Sequence, residues 1–153
     1  MKGKNMNGKL EIKRNREDFY RLQINDTDDY IEFDLTDIGL PEKILNASDN
    51  IFKIDSDYQK KIKEIDENCT DEVENLRQKL KLEKDKCIEM RKEFDGFLGA
   101  GICEKIFGDA NYYGMFLQLF EALEPHFEKM EIKLKKGKEI LAKKYLNDKK
   151  DVL

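Results

Sequence analysis

The stretch that decides the fold is residues 58–97, YQKKIKEIDENCTDEVENLRQKLKLEKDKCIEMRKEFDGF. Apolar side chains recur in it at steps of mostly three and four residues, and charged side chains fill most other positions. Because residues spaced in this way share one face of an α-helix, the pattern predicts one amphipathic rod, roughly 60 Å long at about 1.5 Å per residue. Glu83 interrupts its heptad-like seam. The seam comprises Tyr58, Ile62, Ile65, Cys69, Val73, Leu76, Leu80, Cys87, Met90, Phe94 and Phe97.

Glycines end this rod and a second long helix follows. Three glycines between Gly96 and Gly101 predict a turn, and a short helical turn then closes at Gly108. Pro125 lies inside the last helix and either kinks it or starts a new one at Glu124. We expect the two long helices to form an antiparallel pair. The apolar positions of the last helix are Phe116, Phe120, Leu123, Phe127, Met130, Leu134, Leu141 and Tyr145.

The first forty residues follow a strand pattern instead. Apolar and polar residues alternate over 9–14, 20–24 and 31–35, and the polar run 25–29 between the last two sets predicts a β-hairpin over 18–35. Residues 9–14 are a candidate third strand. Pro41 predicts the start of a short helix through about Ala47, which Ser48-Asp49-Asn50 breaks.

The predicted fold is therefore mainly α with a small N-terminal β-hairpin. Long antiparallel amphipathic helices are joined by a Gly-rich turn and a short helix. We expect residues 1–40 to form the hairpin and to pack on a helical domain, residues 41–153, so that the chain is one compact unit. Since two long stripes cannot cover each other wholly, self-association or a partner helix is expected to cover what remains.

Composition excludes several classes of function. Lys and Arg number 29 against 33 acidic residues, a net charge of −4, so no general attraction to nucleic acid is expected. No apolar run reaches the ~20 residues of a membrane span, and no apolar stretch follows the N-terminal lysines. We therefore expect a cytoplasmic protein. The three cysteines form no C-x-x-C pair, which predicts free thiols rather than a zinc or redox site.

No motif for chemistry emerges either. His126 is the only histidine, with no cysteine or serine at a useful spacing. The acidic run that begins at Asp26 has Ile31 where a calcium loop needs glycine. The glycines of 96–101 lack the lysine of a phosphate-binding loop. We expect no enzymatic activity, no cofactor and no metal.

Two features could instead contact a partner. The first is an aromatic cluster, which is either core or a docking surface, and its members are Tyr112, Tyr113, Phe116, Phe120 and Phe127. Tyr112 and Tyr113 lie on adjacent helical faces and cannot both point inward. With Phe97 in place of Phe127, the candidate docking residues are Phe97, Tyr112, Tyr113, Phe116 and Phe120. The second is a lysine-rich C-terminal helix, for which a solvated face is the simpler interpretation. Its lysines are Lys129, Lys133, Lys135, Lys136, Lys138, Lys143, Lys144, Lys149 and Lys150.

The sequence also resembles a known family. Residues 87–108, CIEMRKEFDGFLGAGICEKIFG, and residues 116–123, FLQLFEAL, are similar to small tail assembly chaperones of long-tailed phages and prophages of Gram-positive bacteria. In that family a helix ends in a phenylalanine-rich turn, followed by small residues, a K-I/V-F-G turn and a last helix. The resemblance covers roughly residues 30–135, and the N-terminal extension departs from it.

The resemblance implies a function in assembly. It implies that the chain coats the tape-measure protein in the host cytoplasm, keeps it soluble, helps to recruit tail-tube subunits and is absent from the mature virion. In several relatives a ribosomal frameshift adds a C-terminal extension. The alternative is a coiled-coil adaptor or nucleic-acid-associated regulator that uses the lysine-rich helix and binds in a salt-dependent way.

Overall fold

The computed structural model describes residues 6–130, and these form a mainly helical fold with an N-terminal β-hairpin, as predicted. A 3-10 turn at Arg16–Asp18 leads into strand β1, Phe19–Gln23, which pairs with strand β2, Tyr30–Asp34. Four helices follow: α1 (Leu40–Asn68), α2 (Glu72–Leu98), α3 (Ile102–Phe107) and α4, which begins at residue 113 and is described as far as residue 130.

The hairpin buries the face that the alternation predicted. β1 and β2 are antiparallel, with Leu22 opposite Ile31 and Tyr20 opposite Phe33. Ile31 and Phe33 are buried, and the ring of Phe33 meets that of Phe127 on α4 at 6.2 Å between centroids. The sheet therefore lies with one face on the helices.

The predicted third strand does not form. Residues 6–15 have no strand assignment, and Leu10 and Ile12 are exposed. The guanidinium of Arg14 instead donates to the Asp34 carboxylate (2.8 Å) and the Thr36 hydroxyl (2.9 Å), which ties this part of the chain to the end of β2.

The predicted continuous rod over 58–97 is wrong, because the chain reverses within it. α1 ends at Asn68 and α2 begins at Glu72, and the Asp71 side chain caps the new helix by accepting from the backbone N–H of Val73 (3.3 Å). Lys79 Nζ lies 2.6 Å from the carboxylate of Asp66, near the turn. The long antiparallel pair is therefore α1 with α2.

α1 is longer than expected at its start. The predicted break at Ser48-Asp49-Asn50 is absent, and α1 continues through these residues to Asn68. The Ser48 hydroxyl donates to the carbonyl of Ile44 (2.9 Å), so this polar side chain is satisfied without leaving the helix.

The Gly-rich turn joins α2 to the rest of the bundle as predicted, although the helix direction differs. Gly99 and Gly101 have positive φ angles of 133° and 75°, a backbone conformation that residues with a side chain rarely adopt, and α3 follows. α4 then starts beside Glu83 and continues past Phe97, so it runs in the same direction as α2 and antiparallel to α1. Its helical assignment passes unbroken through Pro125.

One core joins all these elements. Phe94 of α2 and Phe116 of α4 are fully buried, with ring centroids 6.0 Å apart. The buried side chains of the hairpin and of α1 complete it. The largest fully buried residues are Phe94, Phe116, Met90, Met130, Cys87 and Cys103.

Candidate protein-binding surfaces

The structure divides the predicted docking residues between core and surface. Phe97, Tyr113 and Phe116 are buried in the core. Tyr112 is 61% exposed, so only one of the two neighbouring tyrosines points inward, as expected. Phe120 is partly exposed and packs edge-on against Phe52, at 5.7 Å between centroids. The cluster is thus mainly core, and it leaves two small aromatic surfaces.

Tyr113 fixes the start of α4 onto the other two long helices. Its hydroxyl donates to the Asp55 carboxylate (2.5 Å) and its ring stacks on Tyr58 at 4.0 Å. Its backbone N–H donates to the Glu83 carboxylate at 3.2 Å. Burial, followed by the hydrogen bond to Asp55, raises the pKa of Tyr113 well above its ordinary value. This tyrosine therefore stabilises the bundle in the described conformation.

Beyond Tyr113 the antiparallel pair of α1 and α2 continues without α4. We call this projection the arm: residues 59–68 of α1, the turn 69–71 and residues 72–82 of α2. At about 1.5 Å per residue it extends roughly 15 Å past the start of α4. The Lys86 ammonium lies at the base of the arm, buried between the Asp57 and Glu89 carboxylates (2.5 and 2.8 Å).

The arm carries an apolar face that no other element within residues 6–130 covers. Val73, Leu76 and Leu80 are 60%, 56% and 55% exposed, and their spacing of three and four residues places them on one side of α2. We call them the arm strip. The same side of α2 continues through Glu83 and Cys87, where α4 covers it. The arm strip is therefore the part of the α4-binding face that α4 does not reach.

Half-buried residues of α1 line the other side of this face. Ile62 follows Tyr58 at helical spacing, and Tyr58 is the residue on which the first turn of α4 stacks. Ile65 lies instead beside Gln78 and Leu82, on another side of α2. A helix placed on the arm in line with α4 would meet side chains from both α1 and α2, the arrangement of helix-in-groove recognition.

A second apolar depression lies between the hairpin and α4. It has a volume of about 280 Å³. His126 stands at its wall, where the ring Nδ1 is 2.7 Å from the Tyr20 hydroxyl. We call it the hairpin groove. Its apolar lining comes from Leu22, Ile24, Ile31, Ile106, Phe107, Met115, Leu119, Ala122 and Leu123.

The described residues hold little that suggests chemistry. Within residues 6–130, no group of three or more His, Cys, Asp or Glu side chains could hold a metal ion. Burial raises the pKa of Cys87, and burial together with Asp95 raises that of Cys103 to about 12, the opposite of what a nucleophilic thiol needs. No helix in this range is long and apolar enough to cross a membrane.

Of the lysine-rich C-terminal helix, the structure describes only Lys129. The other lysines predicted to contact nucleic acid, and the apolar positions Leu134, Leu141 and Tyr145, lie outside the described residues.

Comparison of the chain with protein-family models, curated proteins and solved structures gives no match in any of the three. The resemblance to tail assembly chaperones therefore remains a hypothesis carried by the sequence pattern.

Sequence reasoning missed the arm strip as a surface, because it assigned these residues to the seam of an unbroken rod. A signal was present: Thr70-Asp71 followed by Glu72 and Glu74 is typical of a helix start, with a capping side chain and acidic residues in the first turn. A second start inside the stretch implies that the helix before it has ended.

Proposed function

We propose that this chain is an assembly chaperone that binds an amphipathic helix of another protein, as tail assembly chaperones bind the tape-measure protein. The observation that carries the proposal is the arm strip. Its three neighbouring aliphatic side chains are more than half exposed on one helical face, and contiguous apolar surface of this kind supports a role in protein binding.

The geometry favours a helix as the bound element. The arm presents two helices side by side, and the position of α4 farther along the same face shows how a third helix packs there. A partner helix with apolar side chains at i, i+3 and i+7 would match Val73, Leu76 and Leu80. A tape-measure protein is long and helical, so it offers such faces repeatedly.

Charge narrows the chemistry of the partner. Residues 64–74, which form the tip of the arm, contain six carboxylates and no lysine or arginine. Residues 59–63 and 75–82, nearer the base of the arm, contain six lysine or arginine residues and no carboxylate. A partner helix with basic side chains near the tip and acidic side chains near the base would therefore be favoured.

The proposal includes the setting that the resemblance implies. The chain would act in the host cytoplasm, in several copies along one tape-measure protein. It would help to bring tail-tube subunits to that complex and would leave before the virion is complete.

A solubility experiment tests this function. A tape-measure protein encoded in the same genome is produced alone, with this chain, and with the variants Leu80→Asp and Ile88→Asp. Ile88 is a matched control, since it is 58% exposed on the same helix outside the arm. We expect this chain and Ile88→Asp to keep the tape-measure protein soluble and Leu80→Asp to fail. No gain in solubility with the unaltered chain would refute the function, and equal activity of both variants would refute the role of the arm strip.

A further inference from the structure

Among the residues that the structure describes, none pairs with the outer edge of β1, so the hairpin has an open edge there. The cross-strand bonds Ile24 N–H to Asp29 O and Leu35 N–H to Asp18 O fit the register of the hairpin. In an antiparallel pair, inward and outward backbone groups alternate. The backbone groups of Arg21 and Gln23 therefore face away from β2, at the free edge.

A segment with strand character lies exposed near this edge. Residues 9–13 alternate between charged and aliphatic side chains, with Leu10 and Ile12 89% and 74% exposed. Two large aliphatic side chains exposed in an alternating run are what an unpaired strand presents.

We propose that residues 9–13 of one copy add to the β1 edge of a second copy as a third strand. With Glu11 placed opposite Arg21, the aliphatic side chains face the helices and lie over the hairpin groove, whose lining includes Leu22 and Ile24. The charged side chains then face solvent, on the same side of the sheet as Arg21. The groove gains an apolar cover that residues 6–130 of the single chain do not supply.

Charge complementarity fixes the register. The Arg21 guanidinium lies on the solvent side of the sheet, 4.2 Å from the centre of the Tyr30 ring. Glu11 can lie opposite Arg21 whether the added strand runs parallel or antiparallel to β1. Opposite charges on neighbouring strands stabilise a sheet, so this pairing is favourable in either direction. A shift of one residue would turn Leu10 and Ile12 to solvent.

A second copy is the occupant because the segment stays unpaired in its own chain: residues 9–13 have no strand assignment although only residues 14–18 separate them from β1. Arg14, directly after the segment, lies over the Phe19 ring at the start of β1 (4.8 Å) and donates to Asp34 and Thr36 at the end of β2. First the hydrogen bond from Thr36 and then that from Arg14 lower the pKa of Asp34 to about 2. The proposal does not depend on what binds the arm.

Disulfide trapping tests the proposal on the full chain with Cys69→Ser, which removes the half-buried thiol. Two differently tagged chains, one with Glu11→Cys and one with Arg21→Cys, are mixed and oxidised. Neighbouring strands hold paired Cα atoms about 5 Å apart, within disulfide range. We expect a disulfide between the two chains. As a control for random collision, Ile38→Cys, 96% exposed, replaces Arg21→Cys and is expected to link at least about tenfold less.

Two further variants distinguish the occupants. A chain with both Glu11→Cys and Arg21→Cys, oxidised at high dilution, would close on itself if the segment paired within its own chain, and that result would overturn the proposal. Ile12→Asp is expected to weaken self-association in sedimentation experiments by about tenfold or more, since it removes a buried aliphatic side chain. Unchanged association, or a chain that stays monomeric without the substitution, would also overturn it.

The charge pair supplies a rescue. Glu11→Arg alone should weaken self-association because two arginines then face each other, and the double variant Glu11→Arg, Arg21→Glu should restore it. Failure of the double variant to associate better than Glu11→Arg would refute the register.

Discussion

Removing one hydroxyl group at Tyr113 should loosen the start of α4. The change Tyr113→Phe keeps the ring that stacks on Tyr58 and deletes only the donor 2.5 Å from the Asp55 carboxylate. A hydrogen bond to a charged acceptor contributes about 1.5–3 kcal/mol net. Because Asp55 is half-exposed and can regain water, we expect the low end, about 1.5 kcal/mol, and a fall in Tm of roughly 3–6 °C.

Urea unfolding followed by circular dichroism measures this loss, and the next residue supplies the control. Tyr112→Phe removes the same group from a side chain that is 61% exposed, so its effect should stay below about 0.3 kcal/mol. Equal effects of the two substitutions would refute the role assigned to Tyr113.

The same contact predicts a dependence on pH. The folded state raises the pKa of Tyr113 above its ordinary 10.0, first by burial and then through Asp55. Above pH 10 the unfolded chain therefore loses this proton before the folded chain does, and stability falls as pH rises. The unaltered chain should lose stability more steeply than Tyr113→Phe over this range; identical slopes would contradict the assignment.

Two other predictions concern the arm base and the thiols. Lys86→Ala should destabilise the chain by about 2 kcal/mol in urea unfolding, because it removes a buried stem and the ammonium between the Asp57 and Glu89 carboxylates, leaving Asp57 with Lys61 alone. Lys84→Ala, on the exposed side of α2, should change little, and equal losses would contradict this. A maleimide at neutral pH should label half-buried Cys69 and spare Cys103, because the Cys103 thiol is fully buried and has a pKa of about 12. Mass spectrometry of the labelled native chain measures this, and labelling of Cys103 before Cys69 would contradict the assignment.

The sequence predicted the elements better than their arrangement. Alternation identified the hairpin, because one buried face imposes a period of two on Leu22, Ile31 and Phe33. The helical period located α2 and α4, but it could not reveal the reversal at residues 69–71. Cys69 and Val73 keep the four-residue step across the turn, so the apolar spacing stays in phase while the chain changes direction.

The candidate surface was harder to predict for a physical reason. Apolar spacing shows which side of a helix avoids water, and it does not show how far the covering helix extends. Cys87 and Leu80 lie on the same side of α2, yet one is fully buried and the other 55% exposed, because α4 begins only at residue 113 and covers Cys87 but not Leu80. The sequence pattern also places Tyr113 among the docking residues, because its hydrogen-bond partner Asp55 lies 58 residues away and local spacing cannot identify it.

Photo-crosslinking from the arm strip tests the central claim most directly. A photoreactive phenylalanine analogue replaces Leu76 in one chain and Ile88 in another, each produced together with the tape-measure protein. Both positions are exposed on α2, at 56% and 58%. We predict a crosslink to the tape-measure protein from position 76 and none from position 88. Crosslinking from position 88 alone, or from neither position while the two proteins copurify, would contradict the account.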